Sequence, residues 1–416
     1  MPQRDSLTAK RLPIIERGLG LLQSLEESLV RDGREIELQL ALGLCLFTAK
    51  GAVAAKPAYT RALELAESSG EPQHRFEALY GVWQSTRDNV SGGIAAARPL
   101  SERLLRMAER ERDDELRLQA HHSAWTTWFF AGDPAKEREH ADAGRLLYDP
   151  NKHASHRLTY GGHDPGVCAR THGAQVEWLL GYPEKALASI ADALALAERI
   201  AHPFTLSLVF IHSSMVYLNR HGPERALRQL EAAEVLASEQ RLSLVYEPGM
   251  LRGAALLGQG AVDEAIARIR EGITRWTRLG RTILLPYGLA FLAEGLARQG
   301  DPPAGVAAVR EGLKIADATG QHMWDAELHR ANGMVLLAEN KLDEAQASLQ
   351  QANRIAQAQR AKSLELRAAR DLAWLWGEQG RRAEARDLLT PVYGWFTEGF
   401  DTADLKDAKA LLDELA

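Results

Sequence analysis

One spacing constrains this chain more than anything else in it. Gly253 and Ala265, Ala293 and Gly305, Gly333 and Ala345, and Ala373 and Ala385 are each twelve residues apart, and successive pairs recur every forty residues. In a hairpin of two helices, residues at that separation meet where the helix axes cross. A residue without a bulky side chain there lets the backbones come close. A fixed period of this length, built from helical hairpins, is the signature of a stacked repeat array. The same pairing runs back through Ser214 and Ala226, Ala174 and Ala186, Ser85 and Ala97, and Gly43 and Ala55, giving eight matched units. A ninth would pair Trp125 with Glu137, which breaks the small-residue rule, so that hairpin must splay or shift its crossing point.

Turn signals fall between the paired stretches, where such an array needs them. They are Gly132-Asp133-Pro134, Gly181-Tyr182-Pro183, His221-Gly222-Pro223, Gly300-Asp301-Pro302 and Gly380-Arg381. Glycine closes one helix, and proline or an acidic residue opens the next. In a typical second helix, Ala265, Ile266, Ile269, Ile273, Trp276 and Leu279 share one face, while Glu264, Arg268 and Arg270 lie off it, so the stripe reads as core. The period exceeds the roughly 34 residues of a standard tetratricopeptide repeat, so each helix gains one to two turns. One interval is longer: Glu137 to Ala186 spans forty-nine residues, and the surplus falls near 148–166, from Tyr148-Asp149-Pro150 to Gly161-Gly162-His163-Asp164-Pro165-Gly166. An inserted loop is expected there. Leu12 to Val30 reads as a leading helix within an N-terminal cap over residues 1–34. The solenoid follows over 35–396, and Leu405 to Leu415 reads as a closing helix within 397–416. Arrays need such ends to cover apolar faces.

Composition narrows the function. Apolar residues make up 45% and charged residues 25%, rich in the helix formers Ala, Leu, Glu, Arg and Gln. A net charge of −6 leaves no general basic field for nucleic acid or an anionic membrane. Neither is an expected partner. The longest uncharged run, Ala201 to Asn219, carries His202, Pro203, His212 and hydroxyls among its apolar residues, and reads as a buried helix. Two cysteines, Cys45 and Cys168, are too few for a disulfide framework, and a reducing, cytoplasmic setting is expected.

Several stretches resemble a known family. Ala361-Lys362-Ser363-Leu364-Glu365-Leu366-Arg367, Trp374-Leu375-Trp376 and the run from Pro391-Val392-Tyr393-Gly394-Trp395-Phe396 to Asp401-Thr402 are similar to the C-terminal tetratricopeptide region of bacterial multidomain signalling proteins. In these a class III adenylate or guanylate cyclase domain precedes an ATPase module and then the array. Tyr148-Asp149-Pro150, Asp164-Pro165-Gly166-Val167, Leu179-Leu180-Gly181-Tyr182-Pro183, Ala201-His202-Pro203-Phe204 and Ala326-Glu327-Leu328-His329-Arg330 resemble it too, so the likeness runs from about Glu35 onward. It implies a sensing or interaction array, either expressed alone or part of a longer protein. The cyclase and ATPase parts are missing: Gly is never followed by Lys, so no phosphate-binding Gly-Lys-Ser or Gly-Lys-Thr occurs.

Two clusters could carry chemistry. The first is a histidine-rich window of His153, His156, His163, Asp164, Cys168 and His172. If Asp164 caps a helix opening at Pro165, Cys168 and His172 lie one turn apart on one face with His163 just before it, so His163, Cys168 and His172 could converge on zinc. An ordinary helix start with histidines on a polar loop explains the same residues. The second cluster is His121, His122, Trp125, Trp128, Phe129 and Phe130, in the hairpin that breaks the pairing rule. Aromatics beside imidazoles suit a pocket for a peptide or small molecule, although core packing accounts for most of them. With Tyr160, His163 and Asp164 of the adjoining loop, His121, His122, Trp125 and Trp128 form the candidate binding surface. Catalytic frames are missing: there is no Gly-x-Ser-x-Gly, no His-Glu-x-x-His, and no strand to seat a dinucleotide fingerprint. Asp113-Asp114 and the Arg110, Arg112, Arg381 and Arg382 runs read as solvated surface.

The expected fold is an all-α, right-handed α-solenoid of about nine tetratricopeptide-like hairpins, with the first helix of each lining a concave wall. The expected function is a non-catalytic protein-interaction scaffold in bacterial signalling that holds a protein or peptide in the concave groove and needs no cofactor. The alternatives are a small-molecule sensor and, third, a zinc site or metal-dependent hydrolase at the inserted loop.

Overall fold

A computed structural model describes residues 7–416 except 27, 70, 90, 91, 241 and 243–247. Among these residues every named element is a helix. After α1 (Leu7–Leu22) come nine hairpins: α2 (Leu29–Lys50) with α3 (Ala52–Ser69), α4 (Pro72–Arg87) with α5 (Gly93–Glu111), α6 (Asp114–Ala131) with α7 (Pro134–Leu147), α8 (Pro165–Leu179) with α9 (Pro183–Ile200), α10 (Pro203–Asn219) with α11 (Pro223–Gln240), α12 (Pro248–Gly258) with α13 (Val262–Arg278), α14 (Leu285–Gln299) with α15 (Pro302–Thr319), α16 (Asp325–Ala338) with α17 (Leu342–Gln359), and α18 (Lys362–Glu378) with α19 (Arg382–Tyr393). α20 (Ala403–Leu415) closes the array, a right-handed α-solenoid of tetratricopeptide-like hairpins. No helix among the described residues is long and apolar enough to cross a membrane.

The twelve-residue pairs sit at the crossings. Ala265, Ala293, Ala345, Ala373, Ala385, Ser214 and Ala226 are fully buried. A methyl group on Gly253 would meet the Ala265 carbonyl oxygen at 2.8 Å, and one on Gly305 would meet that of Ala293 at 3.0 Å. The exceptional hairpin shifts its crossing: Trp125 of α6 packs over Gly144 of α7, seven residues beyond Glu137, and both Trp125 and Glu137 are fully buried.

The turn chemistry follows the sequence. Gly132 and Gly300 take the left-handed conformation, while Asp133 and Asp301 accept from the amides of Lys136 and Ala304 at 3.1 and 3.2 Å. At His221-Gly222-Pro223 the left-handed residue is His221 instead, its imidazole bonded to Asp404 at 3.0 Å. Two further readings are corrected. The leading helix does not run from Leu12 to Val30; it ends at Leu22, because Ser28 caps a new helix by accepting from the Arg31 amide. Leu279, placed on the core stripe of α13, is exposed, since it lies at the helix's C-terminal cap.

The superhelix is wound tightly enough for its second turn to lie on its first. α5 touches α15 and α8 touches α18, in each case five hairpins on. Along this seam Arg281 donates to Asp88 at 2.5 Å, Ser363 Oγ donates to the Trp178 carbonyl at 2.5 Å, and Arg367 pairs with Asp404 while donating to the Asn219 carbonyl at 2.6 Å. Trp395 packs over Gly181, and Glu398 accepts from the Glu184 and Lys185 amides that open α9.

Candidate functional site

The tight winding fills the axis. α6, α8 and α10 are buried on nearly every side. Phe129 of α6 contacts Trp324 at the start of α16, and Trp324 contacts Tyr287 of α14, so side chains of both turns meet across the centre. The concave groove expected from the sequence is therefore closed by the protein's own residues. That expectation is corrected, and the cause is the short superhelical rise, which a forty-residue period does not by itself specify.

The inserted segment feeds this axis. After α7 the chain makes a 3₁₀ helix over His153–Leu158 and then turns through Gly161 and Gly162, both at positive φ, values that glycine adopts without strain. This turn carries His163 inward, where its Nδ1 donates to the Gly161 carbonyl at 3.0 Å. Its Nε2 lies 3.2 Å from Nε2 of His122 on α6. Cys168 on α8 completes a buried group in which the nearest ligand atoms of His122, His163 and Cys168 all lie within 4.8 Å of one another. A cavity with about 10 Å³ of room for the centre of a water molecule is lined by these three with Phe47, Arg87, Thr126 and His172. That is the size of one water or one ion.

Burial sets the protonation states. It lowers the His122 pKa well below the ordinary histidine value, helped by neighbouring His163 and Arg87. His163 falls to about 4 for the same reason, and the Cys168 thiol is pushed up to about 12. The imidazoles are neutral and the thiol protonated at neutral pH. Several polar atoms here have no hydrogen-bond partner among the described residues: both amide atoms of Gln84, Arg87 Nε, Thr126 Oγ1 and His172 Nδ1.

The structure divides the sequence candidates. His122, Trp125, His163, Cys168 and His172 come together at the axis, with the Trp125 ring stacked on His122 at 4.7 Å. Cys168 and His172 sit one turn apart on α8 as expected, but the third donor close to His163 and Cys168 is His122 rather than His172. Tyr160 is buried edge-on to Tyr80 at 5.0 Å, with its hydroxyl accepting from Gln73. Asp164 caps α8 by accepting from the Val167 amide, accepts again from the Tyr148 hydroxyl, and gives its own amide to Thr205, so its polar atoms serve the fold. His121 and Trp128 lie away from the axis. His121 faces His140 of α7 at 2.9 Å, and Trp128 is half-buried between the cations of Arg98 and Lys136.

Sequence reading missed Tyr80, Gln84 and Arg87 of α4, Gln119 of α6 and His212 of α10. A signal exists for His212 alone: it lies forty residues beyond His172, one period on, and their rings meet at 5.0 Å.

No protein-family model matches the chain. A curated relative, an uncharacterized protein of Rhizobium meliloti (strain 1021), is 28% identical over 247 residues, 58% of this chain and 24% of its own length. The chain thus spans about a quarter of the relative it matches. Among solved structures, a Rap protein complexed with Competence and Sporulation Factor superposes with a TM-score of 0.59 at 13% identity, covering 92% of this chain and 99% of that one. The human IFIT1 dimer with PPP-AAAA gives 0.50 at 14% identity, covering 98% and 86%. These likenesses are of fold.

Proposed function

We propose that this chain is a non-catalytic interaction scaffold that binds a protein or peptide partner through its outer surface, as one module of bacterial cytoplasmic signalling. The observation that carries the reading is the filled axis. A small-molecule pocket needs roughly 300–1,000 Å³, mostly apolar. The aromatic and histidine cluster encloses about 10 Å³, which weighs against an inducer or a substrate at that place. A far roomier cavity, about 740 Å³, is lined by α11, α12 and α13. Charged side chains line it, among them Glu234, Arg252, Glu264, Arg268 and Glu271, which suits a polar polypeptide segment better than a metabolite. Support also comes from the likeness to a Rap protein crystallised with a bound factor. The similarity of the C-terminal stretches to cyclase-associated arrays favours a partner in a nucleotide-cyclase system.

The test uses affinity capture with wild type and with an Arg252→Glu, Arg268→Glu variant. A partner held by wild type and by an Arg34→Glu control should be lost at least tenfold from the double variant, with helical circular dichroism unchanged. Equal retention by the variant overturns the surface. A thermal shift with a metabolite and no retained protein overturns the scaffold reading in favour of a sensor.

A further inference from the structure

The polarity of the axial hydrogen bonds can be worked out from its outer end. Glu115 carries a carboxylate, which only accepts, so the His156 nitrogen 3.3 Å from it, Nε2, bears the proton. His156 Nδ1 is then an acceptor, and Gln119 must donate to it with its amide nitrogen at 2.8 Å. The amide oxygen of Gln119 is left to accept from His122 Nδ1 at 3.0 Å, with the Tyr80 hydroxyl oxygen as a second acceptor of the same N–H at 3.0 Å, which makes His122 Nε2 a bare lone pair. From the other side, the Gly161 carbonyl fixes the proton of His163 on Nδ1, so its Nε2 is bare as well. The two lone pairs face each other at 3.2 Å. Facing lone pairs at that distance repel unless a cation lies against both. Two imidazoles on one tetrahedral zinc, with bonds of about 2.0–2.1 Å, place their nitrogens about 3.3 Å apart.

We propose that His122 Nε2, His163 Nε2 and Cys168 Sγ form a buried structural site for Zn²⁺. The outer contacts are those such a site needs, because each ligating imidazole gives its other N–H to an oxygen, from Gln119 and from the Gly161 backbone. His172 lines the same cavity, and its Nδ1 has no hydrogen-bond partner among the described residues. Binding forms two Zn–N bonds and one Zn–S bond and breaks the Cys168 S–H bond, releasing one proton to solvent. The thiolate left behind offsets part of the metal charge next to the Arg87 guanidinium. The ligands come from α6, the inserted turn and α8, so the ion ties the inserted segment to two consecutive hairpins.

The experiment titrates the metal-stripped full chain with Zn²⁺ against a chelating indicator, and with Co²⁺ by absorbance. Wild type should bind one ion per chain with sub-micromolar affinity. With cobalt it should show a thiolate-to-metal charge-transfer band, and calorimetry in buffers of different ionisation enthalpy should count one proton released. Cys168→Ser and His163→Ala should weaken binding by about 100-fold or more, and Gln119→Leu, a positioning change, by about 10–100-fold. Cys45→Ser and His121→Ala should leave it unchanged. The wild-type measurements need no variant to fold. Less than one ion per chain, no charge-transfer band, or a folded Cys168→Ser variant that binds as tightly as wild type overturns the proposal.

Discussion

Asp88 and Arg281 test whether contact between the two superhelical turns holds the array shut. They are 193 residues apart in sequence, yet each side chain is only 6% exposed, and the guanidinium lies 4.1 Å from the Trp276 ring centre. Asp88→Ala leaves that cation buried with its carboxylate gone, along with the acceptor of the Ile283 amide. Stranding one member of a buried pair costs about 3–5 kcal/mol. The pair Arg98–Glu102 is a control of similar chemistry, but its side chains are 53% and 41% exposed, and Glu102→Ala should cost about 0–1 kcal/mol. Removing both charges with Asp88→Leu, Arg281→Met should restore stability to within about 1 kcal/mol of wild type, because an apolar pair avoids the desolvation penalty. Urea unfolding measures the totals. Hydrogen exchange at the Thr282 amide, which donates to the Asp88 carbonyl across the seam, reads local opening and should speed up about 100-fold or more in Asp88→Ala. A loss below about 1 kcal/mol, equal to that of Glu102→Ala, would refute the idea that the seam holds the turns together.

Three further outcomes are expected. Gly253→Ala should destabilise by about 1–2 kcal/mol despite better helix propensity, because its methyl meets the Ala265 carbonyl, whereas Gly33→Ala in α2, with nothing within 4 Å, should stabilise by up to about 1 kcal/mol; denaturant midpoints decide. Burial lowers the His121 pKa to about 4, with His140 and Arg117 adding and Glu109 opposing. A base with a depressed folded pKa contributes stability above its unfolded value near 6.5 and loses it as pH falls towards 4, so melting temperature should drop over that window, with a ceiling of about 3 kcal/mol from this group, and His121→Gln should flatten the drop. Glu137 is fully buried, and neither of its oxygens has a hydrogen-bond partner among the described residues. Its pKa is raised well above the carboxylate range by that burial, so it contributes stability at low pH that fades as pH rises from its unfolded value; Glu137→Gln should raise the melting temperature at pH 8 and leave it unchanged at pH 4.

The fold was legible because its determinant is local and periodic. A small residue at a crossing leaves a mark at twelve and forty residues, and Gly253, Ala265, Gly333 and Ala345 report it without any knowledge of what they touch. The seam is a different kind of information. Nothing near Asp88 announces Arg281, because the superhelical rise accumulates small rotations over five hairpins, and only the sum decides whether the turns meet. The site was half legible for the same reason. Cys168 and His172 share a helix, so their one-turn spacing could be read, and Asp164 could be read as a cap. His122 reaches His163 from another hairpin, forty-one residues back, through a turn whose direction depends on Gly161 and Gly162.

The closed axis also explains why the helices nearest it carry polar residues. An open groove would let Gln84, Gln119, His122, His172 and Gln175 face water or a partner; here all five are buried, and Gln119, His122 and Gln175 find hydrogen-bond partners within the protein. Burying them costs more than burying leucines of similar size, so they weaken the fold in total while restricting it in detail. An all-leucine axis would tolerate slippage of one hairpin along the next. The bonds from Trp83 to Thr127 and from Gln175 to the His212 ring form only at one register of successive hairpins, and that from Gln119 to His156 at one placement of the inserted 3₁₀ helix on α6. Fixing that register fixes the rise per hairpin, and the rise determines whether Asp88 arrives opposite Arg281. On this argument, replacing Gln119, His122 and His172 together with leucine should keep or raise the melting temperature while speeding exchange at Thr282. Unchanged exchange there would mean that the seam finds its register without the polar axis.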